Sequence, residues 1–160
     1  MTATAQTART DEARSIVMTE PTTDRAPTPT AKAAGYAAAA ILLFAFGFHA
    51  YWGAGGTWGA AVAYGSPEIP APAASAVVAV LIACAAALLL ARIGGAALPL
   101  PRWLLRVGSW LLVAVFALAG ATNLIQDPDA YARDWHIYFF GPLLLTLAAL
   151  CAIVARSRDA

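Results

Sequence analysis

Charge is scarce in this sequence, and it is missing in long runs. Lys and Arg number 10 and Asp and Glu 9, a net charge of +1 and 12% of the chain, where a soluble domain carries about 25%. No charged residue occurs in 33–67, 69–91, 107–126 or 135–155. Near-neutrality excludes the basic footprint of a nucleic-acid-binding protein. It also leaves no acid or base at mid-depth of an apolar run, which argues against proton-coupled antiport, since such coupling needs an ionisable group deep in the bilayer. Cysteine is as thin: Cys84 and Cys151 both fall within apolar runs. Counted along helices, their depths differ by about 9 Å, which argues against a disulfide and for two small apolar residues. Residues 1–31 hold few large apolar side chains and carry no continuous apolar core of a signal peptide.

What the chain has in place of charge is apolar length. Its hydrophobic share of 61% exceeds the roughly 45–50% of a soluble domain. A helix crossing about 30 Å of hydrocarbon needs about 20 apolar residues. The last three charge-free runs each fit one crossing. The first is longer, but its second half is rich in Gly, Trp and Pro, and reads as one crossing followed by a loop.

In chain order, 1–31 is expected to be a disordered cytoplasmic tail, because Thr, Ala, Pro and mixed charge cannot bury enough surface to offset ordering. Met18 is a second candidate start. A membrane domain then spans 32–156, with helices over about 33–52, 74–93, 103–125 and 135–155, and 157–160 forms a short cytoplasmic tail. Ala61-Val62-Ala63 resembles a signal-peptidase site, but the first apolar stretch is longer than a signal h-region of about 7–15 residues. Residues 53–73 read as a loop, broken by glycines and by Pro67, Pro70 and Pro72. In the second helix Ser75, Ala79, Ala83, Ala87 and Ala91 recur every four residues, a small-residue ridge of the kind membrane helices pack or self-associate through. Gly141-Pro142 predicts a kink in the fourth helix. Nine of the ten Lys and Arg lie in the N-terminal tail, the loop 94–102 with its flanks, and the C-terminus. The positive-inside rule then puts both termini in the cytoplasm of a multi-pass cell-membrane protein. The loops carrying Glu68 and carrying Asp127, Asp129 and Asp134 face outward.

This layout gathers the polar chemistry at the outer end. The stretch His49-Ala50-Tyr51-Trp52-Gly53-Ala54-Gly55-Gly56-Thr57-Trp58-Gly59 closes the first crossing. Asn123 and His136 reach a similar level from the third and fourth helices, with Tyr131, Trp135 and Tyr138 around them. His49 lies inside the apolar run. It is either an interfacial histidine bonded to a neighbour or a proton-exchanging group or ligand. The same choice holds for His136. Two axial histidines, His49 and His136, would suit a haem iron. Zinc would need a third ligand from Asp134 or Glu68. Neither pattern is diagnostic, and no cofactor or metal is expected. Gly55-Gly56 follows a helix rather than a strand, so it is no dinucleotide loop. It reads as a tight turn returning Trp58 to the bundle.

The pattern His49-x-Tyr51-Trp52-x-x-Gly55-Gly56-x-Trp58-Gly59 resembles the signature of a family of small bacterial integral membrane proteins described only as a domain of unknown function. Leu104-Leu105-Arg106-Val107-Gly108-Ser109-Trp110-Leu111 fits as well, as do Asp134, Tyr138 and Pro142-Leu143, although the family sets its Tyr and Pro closer together. The resemblance covers roughly 33–155. It implies four membrane helices and a membrane location, and no activity.

The expected fold is therefore all-α, a mostly antiparallel bundle of four transmembrane helices with short loops. The expected function is that of a non-enzymatic membrane module. It would bind a lipid, an apolar ligand or a partner membrane protein through His49, Tyr51, Trp52, Gly55, Gly56, Trp58, Asn123 and His136. The rival is a membrane enzyme acting on a lipid or quinone-like substrate, with His49 as acid/base oriented by Asp134 or Glu68. The bilayer is the expected partner in either case, and nucleic acid is not.

Overall fold

A computed structural model describes residues 26–97, 99–127 and 130–157. Most of the expected tail, and Asp129, lie outside the described residues. Helix α1 (Pro29–Gly53) begins earlier than the apolar run suggested. Thr28 caps it, its hydroxyl accepting the Ala31 N–H at 3.2 Å, and Pro29 stands where a missing N–H costs nothing. The expected loop 53–73 contains a short helix, α2 (Ala60–Tyr64), bounded by Gly59 and Gly65 at φ 74° and 66°. α3 (Pro72–Arg92) again opens on proline, and α4 (Arg102–Leu124) follows Pro101.

The last crossing, α5 (Arg133–Arg156), is not α-helical throughout. An α-turn over Arg133–Trp135 leads into a π-helical turn over His136–Phe140, and α-geometry resumes over Gly141–Arg156. The Gly141 N–H bonds to the His136 carbonyl, five residues back. Pro142 has no N–H to give, so the chain takes up the break as one wide turn. That turn sets the direction in which His136 projects.

The four long helices run 25, 21, 23 and 24 residues, each enough for a bilayer core of about 30 Å. They alternate in direction. α1 packs along α3 and α4 along α5, and the α1–α5 and α3–α4 contacts close the square. The core between them holds Leu42, Leu89, Ile93, Cys151 and Val154, with Ala34, Ala38, Ala85 and Ala86 letting the backbones approach. Of the small-residue ridge, Ser75, Ala79 and Ala91 are buried inside this chain, and Ala83 and Ala87 are half-buried. Cys84 and Cys151 are both free thiols. At the end where the chain termini lie, buried Arg92 reaches across to donate to the Ala155 carbonyl at 2.8 Å, closing the negative end of α5 with a cation.

Large apolar side chains cover the outside, among them Phe44, Val80, Leu81, Leu111 and Leu118, each at least 60% exposed. In water such a surface would aggregate; in lipid it is the solvated face. The chain is an all-helical, multi-pass membrane protein.

Candidate functional site

The distal end, opposite the termini, is built on how α1 stops. The N–H groups of Ala54, Gly55 and Gly56 bond back to the carbonyls of Ala50, Trp52 and Tyr51 at 2.9–3.0 Å. Gly55 adopts φ 95°, which only glycine takes without strain. The chain reverses, and the returning Trp58 carbonyl accepts the Trp52 indole N–H at 2.9 Å. The turn thus brings residue 58 back onto α1. Gly56 needs its missing Cβ for another reason: the Tyr51 ring lies where that Cβ would be.

The reversed chain runs into α2, and α2 is pinned from every side. The Tyr64 hydroxyl bonds Ser75 Oγ of α3 at 2.8 Å and His49 Nδ1 of α1 at 3.3 Å. The His49 ring stands edge-on to Trp52, with centroids 4.9 Å apart. From α5, His136 Nε2–H donates to the Val62 carbonyl at 3.0 Å. His136 Nδ1 bonds Asn123 Oδ1 of α4, while the Asn123 amide nitrogen donates to the Ala119 carbonyl at 2.7 Å. Gly65 makes room for this: a Cβ there would sit 2.9 Å from His136 Nε2. One five-residue helix therefore ties together the distal ends of three crossings directly, and of α4 through His136.

The opposite face of α1 carries a groove. Leu43, Phe44, Gly47, Phe48, Tyr51 and Trp58 line an open hollow of about 520 Å³. Gly47 is its floor; an added Cβ there would meet nothing within 4 Å. Phe44 and Phe48 meet edge to face, and the Trp58 ring lies nearly parallel to Phe48 with centroids 6.2 Å apart. Trp58 is 73% exposed and Tyr51 47%, so both stand at the open rim.

The residues picked out from sequence thus divide. Asn123 and His136 meet. His49 and Trp52 meet on the other side of α2. Tyr51 and Trp58 line the groove, and Gly55 and Gly56 shape the turn between. The two acids stand apart from His49: Asp134 is exposed beside Arg133 at 3.8 Å, and Glu68 is exposed on the α2–α3 connection. Both ring nitrogens of His136 are engaged by the protein, so it would have to give up one bond to ligate iron. Among the described residues no three His, Cys, Asp or Glu side chains gather as a metal shell would require.

Sequence reading missed Tyr64, Ser75 and Val62 in the network, and Phe44, Gly47 and Phe48 in the groove. A backbone carbonyl such as Val62 leaves no trace in sequence. The groove did leave one: Phe44, Gly47, Phe48 and Tyr51 follow i, i+3, i+4, i+7 along one helical face.

Residues 41–151 match a family described as a protein of unknown function, DUF3995. The protein belongs to the DUF3995 family. No curated protein and no solved structure matches the chain. The part of this DUF3995 protein that matches contains the whole distal network and every residue of the groove. It leaves out the first twelve residues of α1, 29–40, and the last five of α5, 152–156.

Proposed function

We propose that this DUF3995 protein is a non-enzymatic membrane module that holds a lipid chain against α1. The observation that carries the reading is the aromatic groove. It extends over residues 43–51, about 12 Å of depth at 1.5 Å per residue, within a bilayer-crossing helix. Its walls are apolar, and the medium around it is lipid. Tyr51 and Trp58 at its upper rim are the side chains that favour the headgroup level. The cell membrane is the proposed location, with both termini cytoplasmic and the groove in the outer leaflet. Lys32, Arg92, Arg102, Arg106 and Arg156 at the end bearing the termini support that orientation through the positive-inside rule.

Gly47→Leu tests the reading. The substitution fills the groove floor, where the backbone has room for it. Native mass spectrometry of protein released from mild detergent should find a retained lipid on the wild type and none on the variant. A lipid retained equally by both would overturn the proposal, and so would a copurifying protein in its place.

A second reading rests on the chain His49–Tyr64–Ser75, three side chains able to pass a proton. Here His49 is the acid/base of a membrane enzyme, and its oriented partner is Tyr64 rather than Asp134 or Glu68. Tyr64→Phe should then abolish a cellular phenotype at normal protein yield. A phenotype that survives removes this reading.

A further inference from the structure

We infer that the occupant of the groove is a lipid whose polar end carries no charge and presents a hydroxyl or carbonyl oxygen. This rests on the lipid reading above and narrows its ligand class.

Three features of the rim disfavour a phosphate headgroup. First, no Lys or Arg lines the groove, and none occurs in the sequence between Lys32 and Arg92. Second, the glycine turn offers no anion nest. Successive backbone N–H groups can cradle a phosphate only when they are free, and those of Ala54, Gly55 and Gly56 are all bonded to the carbonyls closing α1. Third, the rim is the C-terminal end of a 25-residue helix. Such an end carries about half a negative charge and repels anions. No acidic residue lines the groove either, so a cationic headgroup finds no carboxylate on its walls. What it does offer is the Tyr51 phenol, half-exposed over Gly56. A phenol donates to a carbonyl or hydroxyl oxygen and accepts from a hydroxyl. Chain burial along Phe44, Gly47 and Phe48 with one neutral hydrogen bond at Tyr51 describes an uncharged lipid.

The test holds the lipid chains constant and changes the head. The full-length protein is reconstituted into phosphatidylcholine vesicles. Diacylglycerol or phosphatidylglycerol, each with dibrominated chains, is then titrated in. Bromine quenches tryptophan on contact, and the Trp58 component is the difference between the wild type and Trp58→Phe. Saturable quenching by diacylglycerol at a mole fraction about tenfold below that for phosphatidylglycerol is expected. Equal or tighter binding of phosphatidylglycerol would overturn the neutral-head inference while leaving the lipid reading intact. Quenching that rises linearly and never saturates with either lipid would remove the lipid reading itself. Thr57→Lys adds a cation at an exposed rim position and should close most of the tenfold gap; an unchanged gap would mean that the head does not sit at this rim, and would overturn the inference.

Discussion

Two faces of the last turns of α1 differ in kind, although they alternate along a single stretch of sequence. The inward face carries His49 and Trp52. Both are tied by hydrogen bonds to the returning chain, and Trp52 is 5% exposed. The outward face carries Phe44, Gly47, Phe48 and Tyr51, which meet the bilayer and line an open hollow. The polar residues that look like chemistry also brace the architecture. The apolar residues that look like an anchoring belt form the space a ligand could fill. A membrane helix reverses the usual cue for this reason. Inside a bilayer a polar side chain must find a protein partner, whereas an apolar hollow costs little and selects by shape.

If that contrast is right, damage to the inward face should cost stability, and damage to the outward face should cost ligand. The largest loss is expected at Trp52. Trp52→Ala removes a buried indole and its bond to the Trp58 carbonyl, and should cost about 3–5 kcal/mol, read from unfolding by SDS in mixed micelles. His136→Ala comes next. It strands the Val62 carbonyl and takes away the ring that Asn123 meets, at about 2 kcal/mol. A His136→Ala protein as stable as the wild type would show that α2 is not held from the α5 side, and the architectural half of the contrast would fail. Tyr64→Phe is expected to be milder, about 1 kcal/mol, because membrane hydrogen bonds are individually weak.

The fold was largely legible because the bilayer imposes a coarse rule. Four charge-free runs of this length read as crossings, and four long apolar helices are what the chain forms. The helix starts missed by a few residues, because Thr28-Pro29 caps α1 in a stretch with no apolar signal of its own. The π-turn in α5 was legible only as a disturbance. Gly141-Pro142 says that the α-register breaks and not how the chain absorbs it. The distal site was half legible. Depth counting brought Asn123 and His136 to one level, and they do meet. It could not separate the two sides of α2, since α2 itself was hidden in a glycine-rich segment that reads as loop. Depth fixes one coordinate of a side chain in a bundle. The angle around the helix axis fixes which neighbour it finds, and that angle places His49 and Tyr51, two residues apart, on opposite faces.

The smallest stability effect is expected at Gly47, and it is the most informative. Gly47→Leu lies five residues before Trp52 in the same helix, but a side chain there meets open space. Leucine is also the better helix former, by up to about 1 kcal/mol. Unfolding in mixed micelles should therefore be unchanged or slightly harder. Were Gly47→Leu instead to unfold as easily as Trp52→Ala, the hollow would be a packed part of the bundle, and the distinction between the two faces would be lost. A variant that is at least as stable as the wild type and cannot hold its lipid would separate the two faces with one side chain. Filling a hollow that nothing occupies would leave both measurements where they were.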